Sequence, residues 1–130
     1  MRSWALVTGA TAGIGESFTR LLAANNYNIV LVARDMPRLN ERAAALQGSY
    51  GVETKVLQAD LSTDTGCALV ESYIAEHEID VLINNAGFGI NKAFTVSALD
   101  AEQNMLDVLV RTPMRLMHVA LPGMKARDKG

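Results

Sequence analysis

The sequence predicts one α/β domain built on a parallel β-sheet, and two observations lead to this fold class. Hydrophobic residues make up 49% of the 130 residues and charged residues 20%, which is the balance of a single globular domain. Short apolar runs alternate along the chain with longer segments whose apolar residues recur at helical spacing. Because strands covered on both faces contain continuous apolar runs, this alternation indicates parallel strands joined by helical crossovers.

Three strands and two helices are predicted in the first half of the chain. The strands are the runs Trp4–Val7, Ile29–Ala33 and Val52–Ala59. The first helix carries its apolar residues at helical spacing, at Ile14, Phe18, Leu21 and Leu22. Asn25 and Asn26 follow it and favour its end. The second helix spans Pro37–Gln47, and Gly48 and Gly51 after it are typical of a helix terminus.

A third helix and a fourth strand follow. Ser62 is positioned to cap this helix, because a serine hydroxyl accepts a hydrogen bond from the free N–H groups of a first turn. The inner face of the helix is predicted to hold Ala68, Leu69, Tyr73 and Ile74. The apolar run Val81–Ile83 is then a fourth buried strand.

A loop from Phe88 to Leu99 leads to the last predicted helix. Asp100 and Gln103 have the spacing of a capping box at the start of that helix. Pro113 removes a backbone hydrogen bond and predicts a kink. The helix is expected to end near Leu121.

Composition excludes several classes of function. The net charge of −2 does not suit a protein that binds the phosphate backbone of nucleic acids. One cysteine, Cys67, excludes an internal disulfide, and two histidines leave little for a zinc site, so no metal is expected. No secretory signal and no apolar stretch long enough to cross a bilayer is present, so we expect a soluble protein of the cytoplasm.

A glycine-rich turn, Thr8 to Gly15, is the strongest sign of a ligand. It lies between the first strand and the first helix, where the N–H groups of a helix N-terminus can bind a diphosphate. Gly9 allows the tight turn, Gly13 allows close approach of the backbone to phosphates, and Gly15 allows close packing of the helix. The alternative is a glycine-rich turn without a ligand. A P-loop is excluded because no Gly-Lys-Ser/Thr follows.

Four motifs follow one another in a distinctive order. They are the Gly-x-x-x-Gly-x-Gly turn at 9–15, Asp60-Leu61, Asn84-Asn85-Ala86-Gly87 and Leu121-Pro122-Gly123-Met124. With these motifs, the chain resembles the short-chain dehydrogenase/reductase family from Trp4 to Met124. The resemblance implies a Rossmann-type, doubly wound parallel sheet with strand order 3-2-1-4. It implies one NAD(P)-binding domain over 1–130, truncated on its C-terminal side, from an oxidoreductase that exchanges hydride with carbonyl and hydroxyl groups.

Arg34 after the second strand favours NADP over NAD. An NAD-selective site has a carboxylate at the end of this strand, where Ala33 stands here. The Arg34 guanidinium can instead pair with a 2′-phosphate. The alternatives are that Arg34 is a solvated surface residue, or that Asp35 neutralises it or binds the ribose. Ala12 stands where some NADP-binding members of the family have an arginine.

The resemblance also implies the residues that contact the cofactor. They are Gly9, Thr11, Ala12, Gly13, Ile14, Gly15, Arg34, Asp60, Leu61, Asn85, Ala86 and Gly87. In the family, the aspartate contacts the adenine amino group and the leucine covers a ring face. Asp60 could equally cap the helix that begins near Ser62, and Asn84 could form an Asx-type turn at the end of its strand.

The family's catalytic residues are not identifiable in this chain. The family donates a proton through a tyrosine that has a lysine four residues later, and a lysine is needed to tune a phenol whose ordinary pKa is about 10. Residues Leu31, Thr54 and His77 stand four positions after the three tyrosines. Leu109 occupies the position of the family's helix asparagine. We therefore expect the catalytic half to be absent and this chain alone to be inactive.

Three functions remain open. The first is the NADP(H)-binding portion of a reductase, which would take a small carbonyl or alcohol substrate only when completed. The second is a non-catalytic dinucleotide-binding or regulatory module, which Leu109 favours. The third, a methyltransferase-like domain, would need an acidic residue where Ala33 stands. Because a fourth strand at the edge of a sheet leaves backbone groups unpaired, we expect self-association through that edge and the last helix.

Overall fold

The computed structural model describes all 130 residues and contains one four-stranded parallel sheet. The strands are β1 (Trp4–Thr8), β2 (Asn28–Ala33), β3 (Thr54–Gln58) and β4 (Val81–Ile83). Their order is β3-β2-β1-β4, which confirms the predicted Rossmann-type arrangement. β1 lies at the centre, where Leu6 is opposite Val30 on one side and Leu82 on the other.

Helices cover both faces of the sheet. They are α1 (Gly13–Ala24), α2 (Met36–Tyr50), α3 (Asp64–Glu76), α4 (Leu99–Leu106) and α5 (Thr112–Arg127), with a π-helical segment (Asp107–Arg111) between the last two. Helices α1 and α2 pack with Val7 and Leu31 in one apolar cluster, while α3 and α5 pack with Leu6 and Val30 in another. Successive strand residues therefore bury opposite faces, which explains the continuous apolar runs. None of the helices has both the length and the apolar character that crossing a bilayer requires.

The residues of α1 that are fully buried are small, although its large apolar residues recur at helical spacing. The residues that α1 buries are Gly15, Thr19 and Ala23, whereas Ile14 is 71% exposed. These small residues are four apart and form one narrow stripe, so α1 lies closer to the sheet than a stripe of large side chains would allow. Phe18 and Leu22 flank this stripe and pack against the same core cluster, whereas Ile14 and Leu21 are exposed.

The predicted cap of α3 is wrong. The cap of α3 is Thr63, whose hydroxyl accepts a hydrogen bond from the Gly66 N–H at 3.0 Å. The Ser62 hydroxyl instead donates to the carboxylate of Asp60 at 2.7 Å. Helix α3 buries Ile74, as predicted, but the rest of its inner face differs from the prediction. It buries Gly66, Cys67, Val70 and Ile74, while Ala68 and Leu69 are exposed and Tyr73 is half-buried.

The last helix differs from its prediction at both ends and in the middle. Helix α4 begins after Ala98, which makes no side-chain cap, so Asp100 lies inside the first turn and the capping box with Gln103 is not formed. The distortion predicted at Pro113 is a widening to π-helix over the five residues before Thr112. Pro113 itself lies in the first turn of α5, where a missing N–H is tolerated.

The remaining boundaries shift by a few residues. Helix α2 continues through Gly48 to Tyr50 and ends at Gly51, which adopts the left-handed conformation at its C-cap. Strand β3 is shorter at both ends than the predicted run 52–59, and α5 continues beyond Leu121 to Arg127. These shifts leave the order of elements and the position of the strand ends unchanged.

Candidate dinucleotide-binding site

The carboxyl ends of the strands open into a cavity of about 790 Å³. Segments that follow all four strands line it, together with residues of α4 and the π-helical segment. This is the edge of an open parallel sheet at which ligands bind. The predicted site residues that line the cavity are Gly9, Thr11, Ala12, Arg34, Asp60, Leu61, Asn85, Ala86 and Gly87. The other three, Gly13, Ile14 and Gly15, form the first turn of α1 beside it.

The N-terminus of α1 is left without a side-chain cap. Ala12 occupies the cap position and offers no side-chain acceptor. By contrast, Asp35 caps α2 and Thr63 caps α3. The N–H groups of the first turn of a helix need an acceptor, and an uncapped N-terminus at a cavity favours an anion there.

Two glycines allow this helix to begin close beneath the turn. Gly9 has a φ of +64°, which ordinary side chains rarely adopt. A Cβ atom placed on Gly15 would lie 2.0 Å from the Gly9 carbonyl oxygen and 2.5 Å from Nδ2 of Asn85. The third glycine of the motif is therefore required by close packing against the turn itself.

Thr8 and Asn85 join the turn after β1 to the turn after β4. The buried Thr8 hydroxyl accepts hydrogen bonds from the N–H groups of Asn85 at 3.0 Å and Ala86 at 2.9 Å. The Asn85 side chain donates from Nδ2 to the carbonyl oxygens of Thr8 and Gly9, both at 3.2 Å. The Asx-type turn considered for Asn84 is not formed, because its Oδ1 atom has no partner and Ala86 donates to Thr8 instead.

Arg34 is exposed at the rim of the cavity, and its side chain forms no salt bridge. The neighbouring Asp35 carboxylate accepts a hydrogen bond from the Arg38 N–H at 3.1 Å as the cap of α2. The pairing of Asp35 with Arg34 that the sequence left open is therefore absent. The guanidinium of Arg34 is free to meet an anion.

Asp60 lies near Arg34 in the turn after β3. Its carboxylate accepts hydrogen bonds from the Ser62 hydroxyl at 2.7 Å and the Ser62 N–H at 3.0 Å. These two bonds, aided by the charge of Arg34, outweigh burial and lower the pKa of Asp60 below its ordinary value. Asp60 is thus ionised at neutral pH, and it does not cap α3, whose cap is Thr63.

Several residues that line the cavity were not predicted from the sequence. Those outside the predicted set are Val32, Ala33, Asp35, Arg38, Ala59, Ser62, Phe88, Asn104 and Val108. Arg38 could have been found, because it stands four residues after Arg34, in the first turn of the helix predicted to follow the strand end. Asn104 and Val108 share that spacing, but only the path of the long loop after β4 brings them to the cavity.

Comparison with known proteins decides the family. The model of the family described as short chain dehydrogenase matches residues 3–130. The chain belongs to the short-chain dehydrogenase family. The resemblance inferred from the four motifs is therefore confirmed, and the match extends over nearly the whole chain.

Individual relatives cover the chain almost completely but are themselves much longer. The chain is 35% identical over 131 residues to very-long-chain 3-oxoacyl-CoA reductase-B of Danio rerio, covering 98% of this chain and 42% of the relative. It is 32% identical to inactive hydroxysteroid dehydrogenase-like protein 1 of Homo sapiens, covering 98% and 39%. A short-chain dehydrogenase from Sphingobium yanoikuyae, solved with NADPH, superposes with a TM-score of 0.95 at 32% identity, covering 98% and 50%.

Two features bear on catalysis within this short-chain dehydrogenase fold. None of the tyrosines Tyr27, Tyr50 and Tyr73 lines the cavity. Leu109, to which the resemblance assigns the position of the family's asparagine, lies in the π-helical segment with its side chain against Gly87. An ideal Cβ on Gly87 would come within 2.7 Å of Leu109 Cδ2, so an apolar group covers this part of the turn.

Proposed function

We propose that this chain is the NADP(H)-binding portion of an oxidoreductase of the short-chain dehydrogenase family. The observation that carries the proposal is the environment of Arg34. It is an exposed guanidinium without a carboxylate partner, at the strand end where NAD-selective sites have a carboxylate. The carboxylate next to it, Asp35, is occupied as a helix cap.

The cavity's charges agree with this cofactor. Arg34 and Arg38 at one end favour a 2′-phosphate, because a guanidinium pairs with phosphate through charge-assisted hydrogen bonds. The uncapped N-terminus of α1 offers N–H groups to the diphosphate. NADPH in the structure of the Sphingobium yanoikuyae relative supports the same cofactor.

At the level of the whole protein, we propose carbonyl or hydroxyl oxidoreduction on a small carbonyl or alcohol substrate. When bound, the nicotinamide ring supplies or accepts the hydride. The residues of this chain bind the adenosine and diphosphate parts, and the turn from Asn85 to Gly87 braces the central strands. Support comes from the family and from the reductase of Danio rerio, of which this chain covers 42%. In this proposal, residues 1–130 form one NAD(P)-binding domain that is incomplete on its C-terminal side.

A non-catalytic dinucleotide-binding or regulatory module is the second candidate, and Leu109 is the observation that favours it. A leucine side chain has no polar group with which to hold a water or orient a proton donor. The human relative named as inactive adds support, since short-chain dehydrogenase folds also occur in proteins described in that way.

Calorimetric titration with NADPH and NADH tests cofactor binding. We expect saturable binding that prefers NADPH, and Arg34→Met should reduce NADPH affinity about tenfold, the low end for a charged hydrogen bond at an exposed site, with little effect on NADH. Lys55→Met is the control, because Lys55 is an exposed cation outside the cavity and away from the glycine-rich turn. Equal affinity for both cofactors, or an Arg34→Met variant that keeps its preference, contradicts the proposal.

Complementation separates the two candidates. The chain is mixed with a second chain that supplies the remaining part of a reductase relative, and NADPH oxidation is followed with small ketones. Turnover supports the oxidoreductase, whereas NADPH binding without turnover under any complementation supports the non-catalytic module. If the complemented wild-type chain shows no turnover, the same assay on Leu109→Asn tests whether the leucine is the cause.

We also propose that copies of the chain self-associate. β4 pairs only with β1, so its second edge has free backbone groups. Along α4 to α5, an exposed apolar stripe has helical spacing: Leu106, Val110, Met114, Met117 and Leu121. A second copy would cover both features.

A reducing compartment, most simply the cytoplasm, is the proposed location, because the one cysteine is free and buried.

A further inference from the structure

Two arginines of α2 converge on one carbonyl of the glycine-rich turn. The Thr11 carbonyl oxygen accepts hydrogen bonds from Arg42 Nε at 3.2 Å and from Arg38 Nη2 at 3.4 Å. The Arg42 side chain is only 30% exposed. Because the carbonyl of one peptide unit points opposite to its N–H group, fixing the Thr11 carbonyl on α2 also fixes the orientation of the following N–H.

Arg42 also pairs with the one carboxylate in the first turn of α1. Its Nη1 atom lies 3.4 Å from Glu16 Oε1, and Arg20 Nη1 lies 2.9 Å from the same oxygen. Glu16 stabilises the N-terminus of the helix, but an unpaired carboxylate there would repel an anion that binds to the same turn. The two guanidinium groups remove that conflict.

We propose that Arg42 is a positioning residue for the diphosphate-binding turn, a role that rests on the proposed function and extends it. Its guanidinium holds the Thr11 carbonyl against α2, which keeps the Ala12 N–H group at the start of α1 in one orientation, and it neutralises Glu16 beside that group. Arg38 supports the same carbonyl more weakly, since its distance is longer. Arg42 does not line the cavity and acts only through these two groups.

A purely structural role would give a different result. If Arg42 only joined α1 to α2, its loss would weaken every ligand of the cavity equally. A positioning role instead weakens ligands that carry a diphosphate and spares those that do not. The relevant probes are NADPH, ADP and adenosine 2′-monophosphate, because the last has the 2′-phosphate without a diphosphate.

The first test compares Arg42→Met with Arg20→Met, which removes the other partner of Glu16 but leaves the Thr11 carbonyl untouched. We expect Arg42→Met to weaken the binding of NADPH and ADP only about fivefold, because Arg38 retains part of the contact with the Thr11 carbonyl. The affinity for adenosine 2′-monophosphate should be unchanged. Arg20→Met should weaken all three less than twofold. Adding Glu16→Gln to Arg42→Met should recover part of the loss. The proposal is overturned if Arg42→Met weakens the binding of all three ligands equally, or if Arg20→Met has as large an effect as Arg42→Met. If Glu16→Gln recovers none of the lost affinity, the role of Glu16 is overturned.

The second test needs no ligand, so it separates this proposal from the proposed function. Amide hydrogen exchange of residues 9–15 is measured in free wild-type protein and in both arginine variants. Arg42→Met should raise exchange in this turn at least threefold without changing exchange in β1, and Arg20→Met should not. Unchanged exchange in the turn overturns the positioning role, whereas a wild-type protein that fails to bind NADPH contradicts only the proposed function.

Discussion

The Thr8 hydroxyl is the point at which a single atom joins β1 to the turn after β4, and Thr8→Val removes it with almost no change of shape. Thr8 is 1% exposed, and its Oγ1 atom is the acceptor for the N–H groups of Asn85 and Ala86. Valine fills the same space but accepts no hydrogen bond. The substitution therefore tests the polar link alone, without opening a cavity.

The expected cost follows from the two donors that lose their acceptor. The Ala86 N–H has no other acceptor, which costs about 1–2 kcal/mol in a partly buried position. The Asn85 N–H retains a contact of 3.1 Å with the Ile83 carbonyl oxygen, so its loss is smaller, about 0.5–1 kcal/mol. Together they lower the free energy of unfolding by about 2 kcal/mol, and the melting temperature by about 6–8 °C for a chain of this length.

Denaturant unfolding measures this difference, with the single tryptophan, Trp4 at the start of β1, as the fluorescent probe. Thr19→Val is the matched control. Thr19 is also fully buried, but its hydroxyl only donates to the Glu16 carbonyl oxygen within its own helix. That substitution should cost less than about 1 kcal/mol, because no buried N–H group loses its acceptor. If Thr8→Val is no less stable than Thr19→Val, the Thr8 hydroxyl does not stabilise the turn after β4.

Three further predictions concern packing, pH and assembly. Gly15→Ala should destabilise the chain by about 3 kcal/mol in denaturant unfolding, since the new Cβ meets the Gly9 carbonyl; wild-type stability would contradict the close approach. Burial raises the pKa of Asp80, but its interactions with Arg127 at 3.2 Å and Lys129 at 3.4 Å help to outweigh this effect, so the pKa lies below its ordinary value. Ionised Asp80 therefore stabilises the fold above about pH 4, and this contribution is lost as the pH falls below that value. In Asp80→Asn, the free energy of unfolding should fall less steeply as the solution is acidified. The same slope as in the wild type would contradict this role of Asp80. Val110→Glu should shift the mass measured by light scattering toward the monomer, because burying a carboxylate in an apolar interface is costly; an unchanged mass would exclude the stripe as the interface.

The amino-acid sequence determined the order of elements and the edge of the sheet at which the site lies. Apolar runs covered on both faces indicate parallel strands, and right-handed crossovers leave few topologies for them. The glycine-rich turn and the motifs after β3 and β4 each follow a strand end. In a parallel sheet those ends meet at one edge, so their grouping around one cavity was predictable.

The tertiary structure alone decided which polar side chains already have hydrogen-bond partners within the protein. Asp35 and Asp60 are both carboxylates near a helix start, yet one caps α2 and the other accepts two bonds from Ser62. Sequence spacing offers each of them the same choices, and the difference arises from where the following helix begins. The freedom of Arg34 depends on the first of these outcomes, so the cofactor preference could not be settled from the sequence.

The contacts of Thr11 with Arg38 and Arg42 lie still further from what a sequence can provide. The residues are 27 and 31 positions apart, and no local period relates them. Helices α1 and α2 cover the same face of the sheet, and their packing there brings the guanidinium groups of α2 to the turn. Local patterns specify elements because backbone geometry repeats along the chain, whereas pairing between distant side chains is specified only by how closely those elements pack.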